Sequence, residues 1–349
     1  MNALKKRRGR LSLLLAAVLI LGAAVWFVKK EKTERYEAEF IDVFDTMTKI
    51  VGYSKSEKQF RDQTDFIHKE LKRYHQLFDI YHDYTGVSNI KSINDHAGKA
   101  PVKVDEKILD LLEFSRQVYQ MTNGNVNVAF GSVLSIWHEY RESGTDDPAR
   151  AQLPPMEALR EAAKHTNIED LIIDRQKSTV FLKDPQMSLD VGAVAKGFAV
   201  EAVSRDVRRE KQADALLLSV GGNVRAIGYK DGKSEPWKVG IQNPDDSGKM
   251  LRDLSIADSS LVTSGDYQRY YMVDGKRYNH IIDPKTLMPA QHYRAVTVHC
   301  QDSGLADALS TAAFLLDYEK SRSLIESIKG AGALYVMKDG SLRGTKEFE

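Results

Sequence analysis

The fold is organised around one stretch, residues Val262–Pro289, which reads VTSGDYQRYYMVDGKRYNHIIDPKTLMP. Two aromatic-rich arms flank Asp274 and Gly275, a dipeptide that supplies the positive φ angles of a type I′ turn, so the pattern predicts a β-hairpin. The second arm leads to His280 and Asp283, a titratable pair at a turn that suits proton transfer or metal binding. The same pair is also compatible with hydrogen-bonded structure and no chemistry.

The composition is that of a globular protein. The chain has 349 residues, of which 42% are hydrophobic and 28% charged, and its formal net charge is +1. This length allows one large domain or two interlocked ones with a sizeable core. The balanced charge gives no indication of nucleic-acid binding. Cys300 is the single cysteine, which excludes an internal disulfide and a cysteine-based metal cluster.

The N-terminus has the pattern of a membrane segment. Residues 1–10 are basic, and the uncharged run 11–28 is just long enough to span a bilayer. A cleavable signal peptide is the competing interpretation. The basic head favours a cytoplasmic N-terminus and an extracytoplasmic remainder. We therefore expect a single-pass protein of the cell membrane, with residues 29–39 as a polar tether and one domain over 40–349.

The rest of the chain alternates between helical and strand patterns. Apolar residues at helical spacing predict helices over about 57–78, 105–121 and 317–328. Short apolar or alternating runs predict strands at 40–52, 171–173, 179–182, 187–191, 215–220, 237–241, 254–257 and 295–299, with a last hairpin over 334–343. These patterns predict a mixed α+β fold with mostly antiparallel sheets, packed helices and two lobes around one cleft.

A small-residue turn follows the strand predicted at 187–191. It spans Gly192–Phe198, and a helical pattern continues from it. The free backbone N–H groups at a helix start attract anions, so a phosphate could bind here. The turn matches neither the dinucleotide-binding fingerprint nor the Walker pattern, and a purely structural role is equally compatible with it.

A second polar feature interrupts an apolar helix predicted over 304–314. Asp307 and Thr311 are four residues apart and therefore share a face of this helix, otherwise formed by Ala, Leu and Phe. Two oxygen donors on a face that should be buried would suit a hard cation such as Mg²⁺. Alternatively, Asp307 caps its own helix and Thr311 bonds back to its own backbone.

Four segments, taken in order, resemble motifs of the ApbE family of FAD:protein FMN transferases. They are 189–197 (LDVGAVAKG), 219–228 (SVGGNVRAIG), the stretch 262–289 and 306–311 (ADALST). The resemblance implies Mg²⁺-dependent transfer of FMN from FAD to a threonine of an acceptor flavoprotein, with release of AMP, by an extracytoplasmic enzyme. Two alternatives stay open: hydrolysis of FAD to FMN and AMP, and a non-catalytic, membrane-tethered FAD-binding module.

The resemblance also implies roles for individual residues. Asp307, Thr311 and the backbone carbonyl of Ala193 would bind Mg²⁺. His280 is the position associated with catalysis, with Asp283 as the neighbouring carboxylate. Contacts to FAD are implied for Met47, Tyr81, Asn125, Val126, Asn127, Asp190, Lys196 and Ile281, among which Tyr81 and Ile281 would lie against the flavin and Lys196 near the diphosphate.

This chain departs from the family pattern at two places. Val126 and Asn127 replace the Phe and Asp of a family segment that touches the cofactor. Leu287 and Met288 replace the Gly and the polar residue that usually follow the D-P-x-T segment. The first departure weakens one predicted FAD contact, and the second concerns the geometry of a turn.

Overall fold

A computed structural model describes residues 33–210 and 212–348. The basic N-terminus and the predicted membrane anchor, residues 1–28, lie outside the described residues, as does the beginning of the predicted tether. Among the residues that are described, no helix has both the length and the apolar character needed to cross a bilayer.

The described residues fold into helices and strands, all of whose strand pairs are antiparallel. The α-helices are α1 (Glu57–Phe78), α2 (Ile90–Asp95), α3 (Glu106–Met121), α4 (Gly131–Asp146), α5 (Met156–Ala162), α6 (Ala195–Arg209), α7 (Ser303–Leu315) and α8 (Tyr318–Ser327). The strands are β1 (Glu34–Val43), β2 (Thr46–Ser54), β3 (Val102–Lys103), β4 (Leu171–Asp174), β5 (Thr179–Leu182), β6 (Leu216–Val220), β7 (Asn223–Ile227), β8 (Trp237–Asn243), β9 (Asp246–Ile256), β10 (Ser260–Gly265), β11 (Tyr270–Val273), β12 (Lys276–Asn279), β13 (Tyr293–Cys300), β14 (Gly332–Met337) and β15 (Leu342–Gly344). The predicted mixed α+β fold with antiparallel sheets is confirmed.

One eight-stranded sheet forms the centre of the molecule, in the order β1-β2-β6-β7-β10-β13-β14-β15. Helices α1, α6, α7 and α8 bury their apolar faces on one side of it, where Leu216 and Leu218 point. The ribbon β8-β9 covers the other side through Trp237 and Ile256, which pack with Val51 and Leu261. The alternation of side chains along each strand therefore places apolar groups on both faces.

Helix α1 illustrates how local sequence determines an element. Ser56 caps its start, because the serine side chain accepts a hydrogen bond from the backbone N–H of Gln59. The buried positions Phe60, Ile67 and Leu71 follow the helical period that predicted the element. The predicted bounds 57–78 are confirmed, as is the helix that starts after Asp105.

The prediction for the N-terminal part of the domain is wrong in its detail. The single strand predicted over 40–52 is a hairpin, because Phe44 and Asp45 adopt positive φ angles of 54° and 50° and reverse the chain. Most of the predicted tether forms β1, in which Tyr36 and Ala38 are partly buried and the intervening side chains are exposed and mostly charged. Such charges are typical of an edge strand, which explains why the segment looked like a polar linker.

Residues 187–191, predicted as a strand, form no strand and pair with none among the described residues. The side chain of Asn94 forms hydrogen bonds with both backbone groups of Leu189. Its Oδ1 accepts from the N–H at 2.8 Å, and its Nδ2 donates to the carbonyl at 3.0 Å. The carbonyl of Ser188 accepts a hydrogen bond from the backbone N–H of Gly131 at 3.0 Å. An amide side chain and a helix start therefore satisfy the backbone groups that a neighbouring strand would otherwise bind.

The predicted hairpin is confirmed: β11 and β12 pair across Asp274 and Gly275, whose φ angles are 49° and 73°, as a type I′ turn requires. This hairpin is not part of the large sheet. Tyr271 and Tyr278 pack instead on Val133 and Trp137 of α4, in an apolar cluster separate from the main core. Helix α4 had no counterpart in the predicted elements.

Candidate active site

At the start of α6, a carboxylate from another helix accepts a hydrogen bond that a backbone carbonyl would normally accept. In a continuous helix the N–H of Gly197 would donate to the carbonyl of Ala193, four residues earlier. It donates instead to Oδ2 of Asp307 on α7, at 2.8 Å. Within the described residues the carbonyl of Ala193 accepts no hydrogen bond. A Cβ atom at Gly197 would lie 2.4 Å from the Cβ of Asp307, so this approach requires glycine.

Asp307 is a buried acid with few groups nearby that stabilise its negative charge. Only 4% of the residue is exposed, and burial raises the pKa of its carboxyl despite the opposing effects of Lys196 and of the Gly197 N–H. The ammonium of Lys196 lies 4.0 Å from Oδ2. The cap of α7 is Asp302, which accepts from the N–H of Leu305, so Asp307 does not cap its own helix.

Thr311 is partly buried one helical turn beyond Asp307. Its hydroxyl makes no hydrogen bond within the described part of the chain, whereas the hydroxyl of its neighbour Ser310 does bond back, at 2.9 Å to the carbonyl of Asp307. The back-bonding alternative for Thr311 is therefore not what the structure shows. Asp307, Thr311 and the Ala193 carbonyl provide three oxygen groups that are not fully used by the protein.

These donors fit a Mg²⁺ ion. Mg²⁺ prefers oxygen ligands and is commonly bound by one or two carboxylates together with water and substrate phosphates. Residues 33–210 and 212–348 contain no group of three or more His, Cys, Asp or Glu side chains that could bind a metal. A site with few side-chain donors, completed by a phosphate ligand, is the arrangement that these residues allow.

His280 is held in one tautomer by the chain itself. The carbonyl of Arg269 accepts hydrogen bonds from both the backbone N–H and Nδ1 of His280, each at 3.1 Å. A carbonyl only accepts, so the ring proton is on Nδ1 and Nε2 keeps its lone pair. Burial of this partly exposed ring, together with the charges of Arg269, Arg141 and Lys196, lowers the pKa of His280 to about 3. The imidazole is thus neutral at physiological pH.

Asp283 and Ile281 have structural contacts in the turn after β12. The carboxylate of Asp283 accepts from the N–H of Lys285 at 2.8 Å, and its carbonyl accepts from Leu287. Ile281 is 7% exposed and packs in the core beneath β13. Their assigned roles, in catalysis and in flavin contact, stay predictions.

Leu287 occupies the position where the family has glycine, and its φ angle is 61°. This left-handed conformation is unfavourable for leucine. Its burial and the hydrogen bond from Nε1 of Trp137 to its carbonyl, at 3.0 Å, hold the turn in place. The substitution therefore leaves a closed turn next to His280.

Asp190 and the segment Asn125–Asn127 are neighbours. The N–H of Asp190 donates to the carbonyl of Val128 at 2.8 Å, while its carboxylate accepts from the N–H of Gly192. Burial raises the pKa of Asp190, against the opposing effects of the Gly192 N–H and of the charges of Arg141 and Arg269. The side chains of Asn125 and Asn127 donate to backbone carbonyls of Thr122 and Thr166, and Val126 is buried.

Two large side chains of the predicted FAD site are open to solvent. Met47 is 59% exposed and Tyr81 is 49% exposed. The backbone carbonyl of Met47 accepts from the N–H of Gly221, so the turn after β6 lies beside it. Exposed apolar side chains of this kind provide surface that a ligand can cover.

Sequence reasoning missed three residues near Asp190: His138, Arg141 and Arg269. The first two lie on α4, for which no helix was predicted, and Arg269 is part of the stretch that opens the hairpin. Their spacing matches no metal or nucleotide motif. The only signal was the i, i+3 spacing of His138 and Arg141, which has meaning only once α4 is known to be a helix.

An antiparallel α+β fold with a buried acid and a lysine at one helix start, and an imidazole whose pKa the charge of that lysine helps to lower, has the chemical groups of an enzyme active site. The chain belongs to the ApbE family, whose family model matches residues 44–335. It is 35% identical to the FAD:protein FMN transferase of Treponema pallidum over 272 residues, 74% of this chain and 73% of that protein. It is 31% identical to that of Klebsiella pneumoniae, over 77% and 80% of the two chains. The crystal structure of the ApbE protein of Thermotoga maritima matches with a TM-score of 0.79 and 29% identity, covering 90% of this chain and 98% of that one.

Proposed function

We propose that this protein transfers FMN from FAD to a threonine hydroxyl of a partner protein and releases AMP, in a Mg²⁺-dependent reaction. The family match and the relatives named FAD:protein FMN transferase support the transfer of FMN to a protein. The observation that supports a bound Mg²⁺ ion is the hydrogen bond from the Gly197 N–H to Asp307. This bond leaves the Ala193 carbonyl without a hydrogen bond within the described residues.

Asp307, Thr311 and the carbonyl of Ala193 would hold the metal. A bound Mg²⁺ ion supplies neutralisation of the charge that develops on the diphosphate during phosphoryl transfer. Lys196, 4.0 Å from the Asp307 carboxylate, places a further positive charge beside the same position. Oriented charges of this kind account for most of the catalysis that we expect.

His280 would act as the general base. Its Nε2 takes the proton of the threonine hydroxyl while the hydroxyl oxygen forms a bond to the phosphorus on the riboflavin side of FAD. The bond from that phosphorus to the bridging oxygen breaks, and AMP leaves with this oxygen and its electron pair. The hydrogen bond from Nδ1 to the carbonyl of Arg269 keeps the ring oriented through the transfer.

The remaining predicted residues would bind FAD around these groups. Met47 and Tyr81 would offer exposed surface to the dinucleotide, and Asp190, whose N–H donates to the carbonyl of Val128, would bind it beside the segment Asn125–Asn127. Ile281 would support the flavin from the turn that follows β12. Asp283, which closes that turn, is the second residue proposed for catalysis.

We also propose that the enzyme is anchored in the cell membrane by residues 11–28, with its catalytic domain outside the cytoplasm. The support for this is the basic cluster that precedes an uncharged run of bilayer length. The acceptor would then be a flavoprotein that is accessible from the same side of the membrane.

The experiment is incubation of the protein with FAD, Mg²⁺ and an unflavinylated acceptor flavoprotein, with a target Thr→Val variant of that acceptor as the matched control. We expect flavin fluorescence on the denatured acceptor, one AMP per flavin attached and no labelling of the control. Free FMN without labelled acceptor would instead identify an FAD hydrolase. Unchanged FAD would identify a binding module.

A further inference from the structure

An aromatic pair lies at the edge of the proposed FAD site. The ring of Tyr81 stacks on the imidazole of His138 from α4, with ring centroids 5.0 Å apart and an interplanar angle of 30°. Tyr81 is 49% exposed, and the charge of Asp190 contributes to raising its pKa to about 12, second to burial. His138 therefore covers one face of the Tyr81 ring, and the exposed remainder of that ring lies near Asp190.

Contacts at both ring nitrogens fix the orientation of His138. Nη2 of Arg141 lies 2.6 Å from Nδ1, and a guanidinium only donates, so Nδ1 is the unprotonated nitrogen. Nε2 lies 3.1 Å from Oε1 of Glu142, to which it can donate its proton. Both in-plane directions of the imidazole are thus occupied.

Arg141 has no other strong partner. Within the described residues no carboxylate lies within 4.0 Å of its guanidinium, which is partly buried, and burial lowers its pKa. Its close side-chain partner in that part of the chain is the imidazole of His138, at 2.6 Å. His138 and Arg141 lie three residues apart on α4, so the same helix positions both.

We propose that His138 and Arg141 position the isoalloxazine ring of FAD: His138 backs one face of Tyr81 so that the flavin lies on the other face, and Arg141 orients the imidazole. This inference rests on the proposed function. A flavin on the free face of Tyr81 would contact a phenol ring that His138 holds in place, and contact between planar aromatic rings adds to affinity beyond the area buried. The pair would therefore act on the flavin half of FAD and not on its adenine half.

The test compares ligands that contain one half of FAD each. Dissociation constants for FAD, FMN and ADP are measured with Mg²⁺ for the full chain and for His138→Ala, His138→Phe, Arg141→Ala and Arg141→Gln. We expect His138→Ala to weaken FAD and FMN about tenfold and to change ADP less than about twofold. His138→Phe, which keeps a ring, should retain most of the affinity for FAD.

The arginine variants test the positioning role. Gln keeps an N–H donor without the charge, so Arg141→Gln should bind FAD nearly as the native chain does, while Arg141→Ala weakens FAD and FMN by about threefold to tenfold. His68→Ala, which removes a histidine paired with Asp42 on β1, is the matched control and should change nothing. His138→Leu provides a second ring-free variant should His138→Ala fold poorly.

Equal losses for FAD and ADP would overturn the inference, because the residues would then act on the phosphates or on the fold. Unchanged affinities in His138→Ala and His138→Leu would overturn it as well. A parallel loss of FAD and ADP in Arg141→Gln would show that its charge, and not its hydrogen bond, is what matters. Failure of the proposed function is distinguishable: the native chain would bind FAD and FMN yet label no acceptor.

Discussion

Two carboxylates of this protein are buried to the same degree, yet their surroundings differ. Asp266, which follows β10, is 3% exposed, and Asp307 on α7 is 4% exposed. The carboxylate of Asp266 contacts three cations, at 2.8 Å from Lys338, 3.1 Å from Arg294 and 3.4 Å from Arg277. Asp307 has one backbone N–H and an ammonium at 4.0 Å.

The difference separates a structural acid from one that the fold leaves incomplete. A buried charge is tolerated when oppositely charged groups contact it, and three cations contact the single negative charge of Asp266. A buried carboxylate without such partners is costly and marks a place where a ligand completes the site. The region around Asp266 holds strands together, whereas the region around Asp307 is where we propose that a cation binds.

The largest effect should come from Asp307→Asn. Asparagine keeps an oxygen for the Gly197 N–H but removes the charge, so the fold should survive while FMN transfer falls by about 10³-fold, the range for losing one preorganised electrostatic contact. The rate of acceptor labelling at saturating FAD measures this. Asp302→Asn, the same change at the cap of α7, is the control and should leave the rate unchanged; similar losses in both variants would contradict the comparison.

Asp266→Asn should affect stability and not chemistry. Removing the acid leaves three cations near one another, and breaking a buried charge network costs about 3 kcal/mol of unfolding free energy. Chemical denaturation measures the change, and labelling activity per folded molecule should stay within about twofold. A stable but inactive Asp266→Asn protein would break the distinction between the two acids.

Thr311→Val removes the second proposed side-chain ligand and preserves the shape of the side chain. Losing a neutral ligand should weaken Mg²⁺ binding about tenfold, so a higher Mg²⁺ concentration restores most of the activity. A Mg²⁺ titration of the labelling rate measures the shift. Thr311→Ser keeps the hydroxyl and should behave as the native chain; equal titrations for all three proteins would exclude Thr311 from the site.

The smallest effect concerns the pH dependence of stability. His280 has a pKa of about 3 in the folded protein, below the value of about 6.5 in an unfolded chain, so the unfolded state binds a proton that the folded state does not between these values. The folded state therefore loses stability as the pH falls below about 6.5. Between pH 7.5 and 5.5 the native chain should lose about 1 kcal/mol more than His280→Gln does. Parallel denaturation curves at both pH values would contradict this.

Much of the fold was predictable because local rules determine it. The apolar period and Ser56 specified α1, and Asp274 with Gly275 specified the hairpin turn. The antiparallel pattern of short strands predicted the fold class. The path of 187–191 was not predictable, because its backbone is satisfied by the side chain of Asn94, about a hundred residues earlier in the sequence.

The site was partly predictable for a related reason. Asp307 and Thr311 stood out as polar residues on an apolar helix, and the structure brings Asp307 to the start of α6. The arrangement of His138 on Tyr81, however, depends on how α4 packs against the hairpin, and no local pattern encodes that packing. The hydrogen bond from the N–H of Gly197 to Asp307 is likewise a tertiary contact between two helices. The helical period of the local sequence does not predict it.

The most direct test of the account is the effect of Mg²⁺ on thermal stability in the presence of ADP, which supplies a diphosphate without flavin. We expect Mg²⁺ to raise the melting temperature of the native chain and of Asp302→Asn but not of Asp307→Asn. Without metal, Asp307→Asn should be the more stable protein, because burial raises the pKa of Asp307 and the charged form is disfavoured at neutral pH. An equal Mg²⁺ response in Asp307→Asn would contradict the assignment of this buried acid as a metal ligand.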